Sequence, residues 1–182
     1  MRKMFVKTEN YRKFVSAVKA VEQRGAAEAG MMLVYGVPGL GKSHIVSSWA
    51  AETGAIFLRA NKDWTPRYAL SELAAALEID GRGSSQQLFA RLLKPIAENQ
   101  WPIIIDEEFT LANQAASLEK IRDISDRAEN TVILIGMGNI QNDIKRYGQI
   151  SSRIARVVEF LPATLEDVQS ACKQLAEVEI SP

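Results

Sequence analysis

The sequence predicts an α/β fold of three layers, in which a mainly parallel sheet of five strands lies between two layers of helices. Short apolar runs alternate with longer helix-compatible segments, and this alternation is typical of a parallel sheet connected by helices. The third run is nearly all isoleucine, which suits a strand that is buried on both faces. The predicted strands are residues 31–35, 55–58, 102–105, 131–135 and 157–160.

The segments around and between these runs carry helix signals. Thr8 can cap a first helix, residues 8–25, whose apolar side chains recur at helical spacing. Two helices form an inserted pair between the second and third strands, and Pro95 predicts a kink or an early end in the second of them. The helices of this pair and the two that follow are predicted at residues 66–77, 84–99, 115–128 and 163–182.

The length of 182 residues predicts one domain, or one domain with a small appendage. We expect residues 1–162 to form the core. Residues 163–182 form one helix capped at Thr164, which is the remnant or the start of a helical lid, so the lid is expected to be truncated.

Composition sets further bounds. The formal net charge is zero, so DNA binding would require a local basic patch or assembly into an oligomer. Cys172 is the one cysteine, which excludes an internal disulfide framework, and we expect it to be a packing residue rather than a nucleophile. The sequence shows no signal peptide and no apolar run of membrane-spanning length. The simplest interpretation is a cytoplasmic protein without a membrane partner.

The glycine-rich loop after the first strand fits the phosphate-binding pattern G-x-x-x-x-G-K-[ST] at every fixed position and lies between a strand and a helix. Its glycines allow backbone N–H groups to converge on phosphate oxygens, while the helix dipole favours the same anion. Lys42 would supply a charge to the β and γ phosphates, and the Ser43 hydroxyl would bind Mg²⁺. The alternative is an ordinary glycine-rich turn. The predicted nucleotide-binding residues are Gly36, Val37, Pro38, Gly39, Leu40, Gly41, Lys42, Ser43 and His44.

Three carboxylates follow the isoleucine-rich strand. Asp106 is placed to hold Mg²⁺ opposite the loop, directly or through water. Glu107 is predicted to orient and polarise the water that attacks the γ-phosphorus. The role of Glu108 is open, and the alternative for the whole group is a solvated acidic turn.

Two further polar side chains are candidates for catalysis. Asn139 follows the fourth strand, from which its amide would reach the γ-phosphate or the attacking water; the alternative is a simple turn residue. Arg153 precedes the fifth strand and is a candidate arginine finger for the nucleotide of a neighbouring subunit. Arg146 and Arg156 are rivals for that role, and each of the three has an ordinary surface arginine as its alternative.

Taken together, these motifs resemble those of AAA+ ATPases. They are Gly36-x-x-Gly-x-Gly-Lys-Ser43, Ile103-Ile-Ile-Asp-Glu107, Ile135-Gly-Met-Gly-Asn139 and Ser152-Arg153. The resemblance implies a P-loop NTPase of AAA+ type, with a five-stranded parallel sheet and the loop strand at its centre, that binds ATP and Mg²⁺. It also implies phosphate and Mg²⁺ contacts for Lys42, Ser43 and Asp106, and the roles of catalytic carboxylate, first sensor and finger for Glu107, Asn139 and Arg153.

More narrowly, residues 4–168 resemble the transposition ATPases of Mu-like transposable phages, which capture target DNA. The phrases that carry this likeness are Phe5-x-x-Thr8-x-Asn10, Gly54-Ala-Ile-Phe-Leu-Arg-Ala60, Trp64-Thr-Pro-Arg67, Ile150-Ser-Ser-Arg-Ile154 and Glu159-Phe-x-Pro162-Ala-Thr. This resemblance implies a homo-oligomer that assembles with ATP on double-stranded DNA and serves a transposase. The sequence departs from the resemblance in two ways: no second-sensor arginine can be named, and we expect the separate amino-terminal DNA-binding domain to be absent.

Basic residues suggest two candidate DNA contacts, each with a solvated or structural face as its alternative. One cluster surrounds the first helix and contains Arg2, Lys3, Lys7, Arg12, Lys13, Lys19 and Arg24. The other follows the second strand and contains Arg59, Lys62, Trp64 and Arg67, of which Trp64 has simple packing as its alternative.

Three functions are therefore open. The first is an ATP-hydrolysing DNA-binding factor that oligomerises and presents target DNA to a transposase. The second is a replication-type ATPase such as a helicase loader. The third is a nucleotide-gated interaction module with negligible hydrolysis, which an intact Glu107 argues against.

Overall fold

The computed structural model describes residues 5–23, 25, 29–107 and 114–175, with Glu107 and Leu175 described by their backbone alone. The strands are β1 (Met31–Tyr35), β2 (Ile56–Ala60), β3 (Ile103–Glu107), β4 (Val132–Gly136) and β5 (Ile154–Glu159). The helices are α1 (Glu9–Glu22), α2 (Lys42–Thr53), α3 (Pro66–Ala76), α4 (Ser85–Asn99), α5 (Ala115–Ala128), α6 (Ile140–Ile144), α7 (Gly148–Ser151) and α8 (Leu165–Leu175).

The five strands form one sheet in the order β2-β3-β4-β1-β5, and every neighbouring pair is parallel. The predicted five-stranded parallel sheet is confirmed. Strand β1 lies between β4 and β5, so β4 is the middle strand and the expected central position of the loop strand is wrong by one place. Because all strands run the same way, their carboxyl ends meet at one edge, here called the carboxyl edge. Ligands of open α/β sheets bind at this edge.

Helices cover both faces of the sheet, which confirms the three-layer prediction. On one face α1 and α2 pack against it, with Phe14 and Trp49 in edge-to-face contact at 5.3 Å between ring centroids. On the other face lie α3, α4 and α5 with the short α6 and α7, and their leucines and isoleucines form the larger core cluster. Strands β1 and β4 carry no charged residue because both of their faces are buried.

The sequence predicted a kink or an early end of α4 at Pro95, and the early end is wrong because the helix continues to Asn99. Leu92 and Ile96, on either side of the proline, are both 0% exposed. Burial of two such side chains contributes about 1.5–3 kcal/mol each, which offsets the roughly 3 kcal/mol that an interior proline costs a helix. Strand β5 also begins earlier than predicted, at Ile154.

The predicted basic cluster after β2 is partly structural. Trp64 is only 2% exposed, and its indole N–H donates to the carboxylate of Glu72. Arg67 donates to the carbonyls of Gly81 and Gly83 at 2.6 and 3.1 Å, and these bonds stabilise the turn between α3 and α4. Trp64 is therefore a core residue and cannot stack on a nucleic-acid base.

Helices α1 and α8 are joined at their amino-terminal ends. Thr8 caps α1 as predicted, and Asn10 exchanges two hydrogen bonds with the backbone of Leu161, at 2.8 and 3.1 Å. The Asp167 carboxylate accepts from the backbone N–H groups of Glu9 and Thr164, at 2.8 and 3.2 Å. These contacts hold two segments together that are about 150 residues apart in sequence; the separation between Asn10 and Leu161 is 151.

Helix α8 begins directly after Thr164, whose hydroxyl accepts from the backbone N–H of Asp167 at 3.1 Å, as the predicted cap requires. The part of the predicted helix after residue 175 lies outside the described residues, so the division between core and lid stays a prediction. Of the helices in the described part of the chain, none has the length and apolar character needed to cross a bilayer.

Candidate nucleotide-binding site

The loop between β1 and α2 requires glycine for two physical reasons. A Cβ atom on Gly36 would lie 2.7 Å from the carbonyl oxygen of Phe160 in the neighbouring chain segment after β5, closer than a carbon and an oxygen can approach. Gly41, the amino-terminal cap of α2, has a φ of +74°, in the left-handed region. The path of the loop therefore excludes any side chain at position 36 and favours glycine at position 41.

The loop forms one wall of a cleft of about 340 Å³ at the carboxyl edge. The other wall comes from the ends of β3 and β4, so the cleft lies at the edge where the topology predicts a ligand. Six predicted nucleotide-binding and metal-binding residues of the loop and α2 line it together with the predicted metal ligand of β3. The lining residues are Pro38, Gly39, Gly41, Lys42, Ser43, His44, Asp106, Ile135, Gly136 and Met137.

Lys42 is held inside the loop. Its ammonium donates to the carbonyls of Gly36 and Val37, at 2.8 and 2.9 Å, and the residue is only 9% exposed. Burial lowers the pKa of Lys42, and attraction to the Asp106 carboxylate opposes that shift. The charge is therefore concentrated in a poorly solvated site at the amino-terminal end of α2, where an anion gains most from it.

Asp106 is 4% exposed and faces the cleft from β3. Arg59 lies beside it, with one guanidinium nitrogen 4.0 Å from a carboxylate oxygen, because the two residues are paired in the register of β2 and β3. Our sequence interpretation assigned Arg59 to a DNA contact and missed its place at the site. A signal was present, since Arg59 and Asp106 each directly follow a predicted strand, residues 55–58 and 102–105, and adjacent parallel strands bring such positions together.

The donor set in the cleft fits Mg²⁺. Ser43 offers a hydroxyl oxygen and Asp106 a carboxylate oxygen, and both line the same cleft. Mg²⁺ prefers oxygen ligands and is usually bound by one or two protein groups together with substrate phosphates. Among the described residues there is no cluster of three or more His, Cys, Asp or Glu side chains that would hold a metal without such help.

The other predicted catalytic residues are placed as follows. Glu107 is the last residue of β3 and its backbone pairs with Ala60, while Glu108 lies outside the described residues. Asn139 is exposed in the turn between β4 and α6, and β4 adjoins the loop-bearing strand β1. Asn139 is not among the described residues that line the cleft.

Arg153 lies at the opposite edge of the sheet. It immediately precedes β5, whose first residue is in register with Met31 at the start of β1. The loop follows the other end of β1. The strand is roughly 13 Å long at about 3.3 Å per residue, so the start of β5 and the loop are separated by at least that length. Arg153 therefore cannot serve the nucleotide site of its own chain in this fold. Its guanidinium Nε donates to both carboxylate oxygens of Asp126, each at 3.1 Å.

An aromatic residue that the sequence interpretation did not assign to the site lies beside it. The Phe5 ring is 5.9 Å from the imidazole of His44 and 5.2 Å from the ring of Tyr11, measured between centroids. Because His44 lines the cleft, these rings place apolar surface next to the phosphate-binding loop.

The fold is shared with several solved structures at low sequence identity. The Orc1 protein of Aeropyrum pernix, solved in complex with DNA, gives a TM-score of 0.63 at 17% identity, over 97% of this chain and 50% of that chain. Cdc6p of Pyrobaculum aerophilum gives 0.62 at 15%, over 95% and 52%. The Walker-type ATPase paby2304 of Pyrococcus abyssi gives 0.68 at 16%, over 98% and 60%. The chain thus spans about half to three-fifths of these proteins.

Comparison with curated protein sequences gives no match. A protein-family profile described as AAA domain matches residues 24–142, a stretch that contains the loop, the cleft and strands β1 to β4. This match covers more than half of the chain, and the solved structures share the chain's fold. The chain therefore belongs to the AAA domain family.

Proposed function

We propose that this chain is a Mg²⁺-dependent ATPase that assembles into homo-oligomers on double-stranded DNA and delivers that DNA to a transposase. The observation that carries the proposal is that Lys42, Ser43 and Asp106 line one cleft, in which the Lys42 ammonium is attracted to the Asp106 carboxylate. A cation, a carboxylate and a hydroxyl around converging backbone N–H groups are the groups that phosphoryl transfer from ATP requires.

In the proposed reaction, residues of the loop and of β3 have different roles. Lys42 exchanges its bonds to the Gly36 and Val37 carbonyls for bonds to the β and γ phosphates. Ser43 and Asp106 would hold Mg²⁺, which would supply positive charge to the phosphate oxygens. Glu107, next to Asp106 on β3, orients the attacking water and accepts its proton.

The base of the nucleotide lies against the Phe5 and His44 rings. This assignment is supported by the position of His44 on the cleft and by the ring contact that links it to Phe5. Flat apolar surface suits the π-face of a base, since stacking on aromatic side chains contributes roughly 1–3 kcal/mol.

Arg153 acts on the nucleotide of a neighbouring subunit. Its place at the opposite edge of the sheet supports action between subunits, and its contact with Asp126 distinguishes it from its two rivals. Arg146 is 78% exposed and pairs with Asp143 in its own helical turn, and Arg156 is exposed with a bond to the carbonyl of the preceding residue. Neither rival is held by a side chain from another helix in the described contacts.

DNA binding is assigned to the exposed face of α1. Arg12, Lys13 and Lys19 are exposed there, and Lys7 is exposed just before the helix. Lys13 pairs with Glu9 at 2.8 Å, and Arg12 approaches Asp167 at 3.7 Å. Repeated in each subunit of an oligomer, this modest charge adds to a track along the phosphate backbone. The similarity to an Orc1 protein solved in complex with DNA supports DNA as the partner.

Fluorescence anisotropy of a labelled DNA duplex, titrated with protein at two salt concentrations, tests the proposal. We expect steep binding that needs ATP or a slowly hydrolysed analogue and weakens as salt rises. Lys13→Ala/Lys19→Ala should weaken it, whereas Lys94→Ala, an exposed lysine with the same i,i+4 glutamate pairing on α4, should not. No DNA binding under any condition would overturn the DNA-binding part of the proposal.

Two other functions differ from this proposal, one in its protein partner and the other in its rate of ATP hydrolysis. A helicase loader has the same cleft chemistry, and the likeness to Cdc6p favours testing it next. Co-sedimentation of ATP-loaded oligomers with a Mu-type transposase or with a replicative helicase distinguishes the two. Tight ATP binding without measurable hydrolysis would instead support the nucleotide-gated interaction module.

A further inference from the structure

Arg153 is anchored by a carboxylate from a distant part of the chain. Its Nε lies 3.1 Å from both oxygens of Asp126 on α5, 27 positions earlier in sequence. The two side chains are 25% and 24% exposed, so the pair is partly shielded from water. A largely buried charged pair, in which one N–H is shared between two carboxylate oxygens, is more persistent than the fully exposed ion pairs that contribute little.

A second arginine shares the same carboxylate. Arg122 lies one turn earlier on α5 and places its Nε 3.8 Å from an Asp126 oxygen, with its side chain 16% exposed. Its Nη1 also donates to the side-chain oxygen of Gln149 on α7, at 2.7 Å. Asp126 is therefore held between two guanidinium groups, and the network joins α5 to the segment that leads into β5.

We infer that Asp126 is a positioning residue that orients Arg153 for the nucleotide of the neighbouring subunit; this inference rests on the proposed function. The contact with Asp126 is made through Nε, at the root of the guanidinium group. A phosphate is gripped by the Nη1 and Nη2 end of the group. Asp126 thus fixes the plane and direction of the fork before the subunits meet.

The physical benefit is pre-organisation. A flexible arginine side chain loses rotamer entropy of roughly 2 kcal/mol when it is immobilised at an interface. A side chain that is already oriented loses less on contact with the nucleotide. The opposite arrangement, in which Asp126 withholds Arg153 from the neighbour, predicts faster turnover when the carboxylate is removed, so the sign of the effect decides between the two.

Complementation between two inactive variants provides the test. A Glu107→Gln chain keeps Arg153 but cannot hydrolyse its own ATP, and an Arg153→Ala chain keeps Glu107 but offers no finger. Their mixture should hydrolyse ATP, because the first chain donates Arg153 to the second. Asp126→Asn is then added either to the donor chain or to the acceptor chain, and the maximal rate and the KM for ATP are measured.

We expect Asp126→Asn in the donor to lower the maximal rate by roughly 10- to 100-fold, as misplacement of a reacting group does, with KM unchanged. The same substitution in the acceptor should change the rate by no more than about twofold. Asp123→Asn in the donor, which removes a neighbouring carboxylate that pairs with Arg122, should likewise change it by no more than about twofold. Asp126→Glu in the donor keeps the charge on a longer side chain, and the rate should lie between those of the unsubstituted donor and the Asp126→Asn donor.

The outcomes are distinguishable. No hydrolysis by the original mixture would overturn the intersubunit role of Arg153 and with it the inference. If the mixture hydrolyses ATP, but Asp126→Asn in the donor leaves the rate unchanged or raises it, the inference about Asp126 is overturned while the intersubunit role of Arg153 stands. Equal losses of rate from Asp126→Asn in the donor and in the acceptor would show a general structural effect, which also overturns the inference. If Asp126→Asn fails to fold, the rates of mixtures with Asp126→Glu in the donor or in the acceptor are compared instead.

Discussion

Replacing Asp167 with Asn should destabilise the junction between α1 and α8 while leaving the shape of the side chain unchanged. Each carboxylate oxygen accepts one backbone N–H, from Glu9 at 2.8 Å and from Thr164 at 3.2 Å, and the residue is 4% exposed. In Asn one of these oxygens becomes an NH₂ group, which cannot accept a hydrogen bond. Either the Glu9 or the Thr164 N–H then loses its partner.

The magnitude follows from that single lost acceptor. A buried donor without a partner costs roughly 1–3 kcal/mol. The Arg12 guanidinium, 3.7 Å away but 66% exposed, adds little. A loss of about 2 kcal/mol lowers the melting temperature of a chain of this size by about 4–8 °C.

The effect should depend on pH in one direction. Burial alone would raise the pKa of Asp167, but the N–H groups of Glu9 and Thr164, the Thr164 hydroxyl and the Arg12 charge outweigh it, so the pKa is lowered. A carboxyl group whose pKa is lower in the folded state stabilises the fold above its unfolded pKa of about 3.9. That contribution is lost as the pH falls through the folded value, so the difference between wild type and Asp167→Asn should begin to shrink below about pH 4 and keep shrinking as the pH falls further.

Thermal unfolding followed by circular dichroism between pH 7 and pH 3 measures both effects. Glu166→Gln is the matched control, because Glu166 occupies the same first turn of α8 but is exposed. Near pH 7 it should shift the unfolding free energy by no more than about 0.5 kcal/mol. Equal shifts for the two variants, or an Asp167→Asn deficit that persists unchanged at pH 3, would refute the reasoning.

Three further predictions concern the cleft. Gly36→Ala should lower the free energy of unfolding by about 1–3 kcal/mol, because the added Cβ would meet the Phe160 carbonyl at 2.7 Å. Gly138→Ala is the control, because a Cβ added there would have no atom within 4 Å. Differential scanning calorimetry compares the two variants. Lys42→Ala should weaken binding of a fluorescent ATP analogue by roughly 10- to 100-fold, the effect of losing hydrogen bonds from a charged group. Glu107→Gln should retain that binding but lose roughly 10²–10⁴-fold in phosphate release, and turnover equal to wild type would remove Glu107 from the mechanism.

Much of the fold could be predicted because local signals agree with the tertiary structure. The apolar runs mark all five strands, and Thr8 and Thr164 mark two helix starts that the structure confirms. The loop could be predicted too, since its glycine positions are determined by backbone geometry that is local apart from the approach of Phe160 to Gly36.

The remaining features depend on which segments meet across the fold. The partnership of Arg59 with Asp106 depends on strand register, and that of Arg153 with Asp126 on the packing of α5 against a turn far along the chain. The core position of Trp64 and the continuation of α4 past Pro95 are likewise set by tertiary packing. Charge and aromatic character in the sequence do not separate a surface contact from such internal roles.

The bonds between Asn10 and Leu161 also bear on how fast the protein unfolds. They close a loop of 151 residues, and contacts of such long range generally form late in folding because the entropy of bringing the segments together must be overcome first. Interactions that are absent from the folding transition state slow unfolding without accelerating folding. The joint between α1 and α8 therefore acts mainly on the lifetime of the native state, so its loss would shorten that lifetime while the chain still refolds at its usual rate.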